Sequence, residues 1–111
     1  MAFARGDIYR VNLEPALGSE QQGNARPCVI LSVTNFNRKF PTIGVVPLSS
    51  ARVPHPPLVP GVPSAGRDNS VAICNQLRLI SKGRIVGQRI GVMTPADLEK
   101  VEAGVKQYYG L

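Results

Sequence analysis

The sequence predicts a mainly β chain that ends in one helix, its strands curled into a small bent sheet or partly open barrel. Three observations carry that prediction. Apolar residues come in short runs rich in Val and Ile, set off by Gly, Pro, Asn and Ser. Five of the twelve positions in 53–64 are proline, which no helix interior tolerates. Apolar residues at helical spacing appear only after Thr94. The 111 residues fit a single domain spanning 1–111. A chain of that length buries roughly two thirds of its unfolded surface, so neither a disulfide nor a metal is required.

The first strand spans 8–13, with Tyr9, Val11 and Leu13 on one face and Ile8, Arg10 and Asn12 on the other. That alternation predicts a half-buried strand, ended by Glu14-Pro15. A second, nearly continuous apolar run over 27–33 predicts a central strand, and 34–41 reads as a turn-rich connection. A third strand covers 42–48. Pro47 inside it argues for an edge position or a bulge. Residues 53–64 read as an irregular, polyproline-like excursion with room for an extended edge near Leu58-Val59. Residues 70–80 read as one strand, 81–84 as a turn or a single helical turn, and 85–92 as a last strand weakened by its glycines. Thr94 then predicts an N-cap, with Pro95 at the first helical position and Asp97 closing a capping box. Met93 and Leu98 occupy the staple positions. Leu98, Val101, Val105 and Tyr108 form one apolar stripe that ends near Gly110.

The net charge is +6 and unevenly spread. Residues 1–93 carry eleven Lys/Arg against four acids, and 94–111 carry two against three. A basic body suits a polyanionic ligand or an acidic partner. Aromatics are only 5%, too few for an extended base-stacking platform. No apolar run approaches the length of a membrane span, and the N-terminus lacks the apolar core of a signal peptide. A cytoplasmic protein is expected. The single histidine, His55, stands among prolines and reads as a loop residue. Cys28 and Cys74 lie inside separate apolar runs and read as buried, reduced core residues rather than ligands or a redox pair. No metal or other cofactor is expected.

Between the first two strands lies the polar loop 18–27. It holds Ser19, Glu20, Gln21, Gln22 and Asn24 between two glycines, with Arg26 at its hinge to the next strand. A guanidinium is planar, permanently charged and bidentate towards phosphate oxygens, so a fixed one beside a polar loop suits phosphate handling. On composition alone, a hairpin loop with an ordinary surface arginine is the competing reading.

Several stretches together resemble the MazF/PemK toxins of bacterial type II toxin–antitoxin pairs. They are Arg5-Gly6-Asp7-Ile8-Tyr9, Gly18-Ser19-Glu20-Gln21, Arg26-Pro27, Val29-Ile30-Leu31-Ser32, Val46-Pro47-Leu48-Ser49 and Gln76-Leu77-Arg78. The capped final helix extends the likeness over nearly the whole chain, with the proline-rich segment matched least. The resemblance implies an SH3-like, partly open barrel of the CcdB/MazF/PemK type, assembled as a homodimer. It implies a metal-independent, sequence-specific endoribonuclease that cuts single-stranded mRNA. It also implies a cognate antitoxin whose acidic, disordered tail covers the RNA groove. The family's loop arginine falls on Arg26, and its hydroxyl residue, commonly threonine, falls on Ser49. Asn75 stands where many members carry glutamate, and Ser81 where aspartate is usual.

Metal-free cleavage of this kind uses the ribose 2′-OH as internal nucleophile and leaves a 2′,3′-cyclic phosphate and a 5′-OH. Within it, Arg26 suits stabilisation of the phosphorane, with proton donation to the leaving oxygen as a second task. Ser49 can bond a nonbridging oxygen or position the 2′-OH. Glu20 has three open roles: general base, orienter of Arg26, or a solvated loop acid. Ser19, Gln21, Gln22, Asn24 and Gln76 can read exposed base edges. Arg78 and Arg84 are candidates for the phosphate track. The alternative function on the same fold is a non-catalytic, CcdB-like topoisomerase poison, which has no need of the Arg26–Ser49 pair.

Overall fold

A computed structural model describes residues 2–111. Its strands are β1 (Asp7–Val11), β2 (Arg26–Ile30), β3 (Thr42–Ser49), β4 (Val71–Ala72), β5 (Arg78–Ser81) and β6 (Ile85–Val92). Helix α1 (Thr34–Lys39) joins β2 to β3, and α2 (Pro95–Tyr109) closes the chain. All strand pairs are antiparallel, in the order β4-β3-β2-β1-β6, with β5 also paired to β3. The mainly β fold with one C-terminal helix is therefore as the sequence predicts.

The inner strands β1, β2 and β3 bury side chains on both faces, whereas β6 is largely exposed. One face gathers Tyr9, Val11, Leu13, Cys28, Ile30, Ile43, Val45 and Ile80. The other gathers Ile8, Val29, Val46, Leu48 and Cys74 against Val101 and Val105 of α2. Strand β1 is thus not half-buried: Ile8 belongs to the helix-side core and only Arg10 is exposed within it. Each fully buried Val, Leu or Ile contributes about 1.5–3 kcal/mol relative to exposure. Alternation serves two cores here rather than one core and solvent.

Three local readings change. Residues 34–39 form a helix, not a turn. Its polar residues fasten it: the Asn37 amide donates to the carbonyls of Phe3 (2.8 Å) and Ser32 (3.0 Å), and its Oδ1 accepts from Ser32 Oγ (2.5 Å). The Asn37 side chain is buried, so these bonds satisfy groups that would otherwise be costly to bury. Residues 70–80 are not one strand. A 3₁₀ turn, Cys74–Gln76, breaks them into β4 and β5, which share one edge of β3: β5 pairs with Thr42–Val45 and β4 with Leu48–Ser49. This also places Pro47, which lies in an interior strand and not at the sheet's edge. Its carbonyl accepts from the Ile73 N–H at 2.9 Å. In an extended strand the N of the same residue points the same way, so the missing N–H falls in the gap between β4 and β5.

The C-terminal helix forms as predicted, with one difference at its start. Thr94 caps it, its Oγ1 accepting from Asp97 N at 3.3 Å, but the reciprocal half of the capping box is absent. The Asp97 carboxylate turns instead to Ser64, accepting from its N–H (2.9 Å) and Oγ (2.5 Å). The proline-rich segment is irregular, as expected, apart from bridges at His55–Val59 and Gly61–Val71 and a 3₁₀ turn at Pro63–Ala65.

Candidate functional site

The loop between β1 and β2 is held by its base. Glu14 Oε2 accepts from Gly23 N at 2.6 Å and Oε1 from Ala16 N at 3.2 Å, while Leu13 N donates to Gly23 O at 2.8 Å. Gly23 has φ +130°, and a Cβ there would lie 2.5 Å from Arg26 Cγ and Cδ. A glycine is needed at this position both for the backbone and to let the Arg26 side chain pass. That side chain runs from the first residue of β2, with its Nε buried and without a hydrogen-bond partner. An unsatisfied buried donor on a charged group is costly in the free chain, and Arg26 also lines the surface depressions described next, where a guanidinium can meet an anion.

At the end of β3, Ser49 is nearly buried at 6% exposure. Its Oγ accepts from Ala51 N at 3.1 Å, which leaves its own proton free to donate. Arg26 and Ser49 line two depressions that meet at them. The first, about 790 Å³, is walled by the loop residues Ser19, Glu20, Gln21 and Gln22 and by Arg52, Asn75 and Gln76. The second holds Arg10, Ser50, Arg67 and Ser70. Among the described residues, Glu20 is the one carboxylate in the first and the second has none.

The structure therefore brings Arg26, Ser49, Glu20, Ser19, Gln21, Gln22 and Gln76 together. Glu20 Oε1 accepts from Leu17 N at 2.7 Å, so the acid is partly spent on holding the loop. Gln76 likewise has a structural share in its contacts. Its Oε1 accepts from Gln21 N at 2.5 Å and its Nε2 donates to Ser19 O at 3.2 Å, clasping the loop to the 3₁₀ turn. Arg78 adjoins the loop in a neighbouring pocket but donates to Leu13 O at 3.0 Å. Two predicted residues lie elsewhere. Arg84 donates to the carbonyls of Asn12 (3.0 Å) and Glu14 (2.6 Å), tying down the end of β1, and lines neither depression. Asn24 is exposed and also lines neither.

Sequence reasoning missed Arg10, Arg52 and Arg67. Arg10 had a signal, being the polar break in the β1 alternation. Arg52 and Arg67 sit in turns whose positions only the fold reveals. Thiol chemistry has no place in the groove. Burial pushes the Cys28 thiol up to about 12, against the pull of Arg26 and Arg78, and burial pushes Cys74 to about 11. Both stay protonated near neutrality.

A family profile described as "PemK-like, MazF-like toxin of type II toxin-antitoxin system" matches residues 4–109. The chain belongs to that family. Among its relatives, the endoribonuclease toxin ChpB of Escherichia coli K12 is 35% identical over 102 residues, covering 88% of this chain and 86% of that protein. The endoribonuclease toxin MazF of the same strain is 30% identical over 105 residues, covering 95% and 92%. The crystal structure of MazF from Deinococcus radiodurans superposes with a TM-score of 0.86 at 20% identity, covering 100% of this chain and 99% of that one. At that identity the likeness speaks for the fold. Together these place the Arg26–Ser49 grooves on a PemK-like, MazF-like scaffold.

Proposed function

We propose that the chain is the toxin of a type II toxin–antitoxin pair, a sequence-specific endoribonuclease that cuts single-stranded mRNA and so blocks translation. The observation that carries this reading is the meeting of Arg26 and Ser49 where two depressions join, with the Arg26 Nε buried and unpartnered. The endoribonuclease names of ChpB and MazF support it, and neither is named a topoisomerase poison. We read residues 1–111 as one domain acting in the cytoplasm, where mRNA is met. Among the described residues no helix is long and apolar enough to cross a membrane.

The chemistry follows from the groups at the junction. The 2′-oxygen attacks phosphorus, the P–O5′ bond breaks, and the products are a 2′,3′-cyclic phosphate and a 5′-OH. Glu20, whose Oε2 has no protein partner, accepts the 2′-OH proton. Arg26 faces the nonbridging oxygens, stabilises the phosphorane charge and passes a proton to the leaving 5′-oxygen, which it regains from solvent. Ser49 donates to a nonbridging oxygen. Donors already fixed in the free chain need no reorganisation during reaction, and one such donor is worth roughly 10²–10³ in rate.

The partners follow from charge and edges. Strand β6 ends the sheet and exposes Val86 and Val92. An apolar edge strand suits cover by a second copy in a homodimer. The basic grooves suit the acidic, disordered tail of a cognate antitoxin. Solved structures of similar fold include a mycobacterial endoribonuclease in complex with its cognate antitoxin, with a TM-score of 0.74. The direct test is Arg26→Ala in a cleavage assay with EDTA present. The wild type should cut, and the variant should lose roughly 10²–10³ in kcat, with Arg26→Lys recovering little because it loses the bidentate fork. A variant as active as the wild type would remove Arg26 from the mechanism.

A further inference from the structure

The nine arginines of the chain fall into two groups. Five are engaged within the fold: Arg5 with Glu102 and the Leu31 carbonyl, Arg52 with Gln21, Arg78 with Leu13, Arg84 with Asn12 and Glu14, and Arg89 with Asp7. The guanidinium groups of Arg10, Arg26, Arg38 and Arg67 have no hydrogen-bond or ion-pair partner among the described residues. Three of these four line one depression, the one that meets the loop-side groove at Arg26 and Ser49. Among the described residues no carboxylate and no amide side chain lines it; Ser49, Ser50 and Ser70 do. Asp68, next to Arg67 in the chain, makes no ion pair with it or with Arg10.

The groove on the loop side has the opposite make-up. Gln21, Gln22, Asn75 and Gln76 supply paired donors and acceptors, which suit base edges. Three unpaired guanidiniums around one hollow repel each other unless a polyanion lies between them, and planar guanidiniums match phosphate oxygens bidentately.

We propose that Arg10 and Arg67 form a phosphate-gripping subsite beside the Arg26–Ser49 junction, which holds the RNA strand on one side of the scissile phosphate without reading its bases. Recognition is then lopsided: the amide-lined groove selects sequence and the arginine hollow supplies charge. This rests on the nuclease reading above, because it takes RNA as the occupant.

The test separates the two. A fluorescent 2′-O-methyl single strand has no free 2′-OH and is bound without being cut, so its affinity is measured across a salt series. Arg10→Ala and Arg67→Ala should each weaken binding and flatten the slope of log affinity against log salt by about 0.7, the value for one single-strand phosphate contact. Arg10→Lys and Arg67→Lys should restore most of the slope. Arg38→Ala removes the same charge from α1, outside the hollow, and should leave the slope unchanged. The ranking of affinities among strands of different sequence should survive both alanine changes. An unaltered slope in the Arg10 and Arg67 variants, an equal loss in Arg38→Ala, or a changed sequence ranking would overturn the subsite. Failure of the wild type to cut ribose RNA would count against the nuclease reading instead, and the salt slopes would still decide the arginine hollow.

Discussion

At the scale of single residues, two glycines show how close approach fixes sequence. Gly23 leaves room for Arg26, and Gly104 leaves room for a packed helix. A Cβ on Gly104 would lie 2.5 Å from the Pro57 carbonyl oxygen and 2.7 Å from Cys74 Sγ. Alanine gains up to about 1 kcal/mol of helix propensity over glycine. The clash is with backbone and a buried sulfur, neither of which can swing away, and overpacking of this kind costs about 1–3 kcal/mol. Gly104→Ala should therefore lower stability by up to about 2 kcal/mol in urea unfolding; a stability at or above that of the wild type would show that α2 can shift outward freely. At this scale the sequence was legible where chemistry is unusual. Arg26 stood out beside a polar loop, but the need for Gly23 did not, because it depends on where the arginine side chain runs. Arg84 and Arg67 look alike in sequence, yet one is locked to carbonyls and the other is unpaired; only the fold distinguishes them.

At the scale of elements, the start of α2 couples the helix to the proline-rich segment. Burial raises the Asp97 carboxyl, but the bonds from the Ser64 hydroxyl and backbone N–H, together with Lys100, outweigh it and hold its pKa below the ordinary value of 3.8. The stabilisation is thus complete above the usual carboxylate range and is lost as pH falls through the lowered folded value. Asp97→Asn should cost roughly 1–3 kcal/mol near neutrality, the scale of hydrogen bonds to a charged group, and should reduce the loss of stability below pH 4. Thermal melts from pH 7 to pH 2.5 check both; parallel curves for the two proteins would contradict it. The cap itself was readable because its residues are neighbours in sequence. The six residues of α1 were not, since Asn37 holds them through Phe3, 34 positions away. The break between β4 and β5 was hidden for a similar reason: Ser70 to Ile80 is apolar enough for one strand, and the turn is set by which half of β3 each piece meets.

At the scale of the whole molecule, the fold separates charge from recognition. The sequence showed a basic body but not where its charge is free. Five arginines are used as fasteners, and three of the remaining four converge beside Ser49. The curled sheet brings the end of β3 against the start of β2, and with them the hydroxyl and the guanidinium on which the nuclease reading depends. That reading is tested most directly by identifying the termini that purified protein leaves on a long single-stranded RNA in EDTA. The account predicts 2′,3′-cyclic phosphate and 5′-OH ends at one recurring short sequence, and no cut where the nucleotide 5′ of the scissile phosphate is 2′-deoxy. Ends carrying a 5′-phosphate, or cleavage of the deoxy-substituted site, would contradict it.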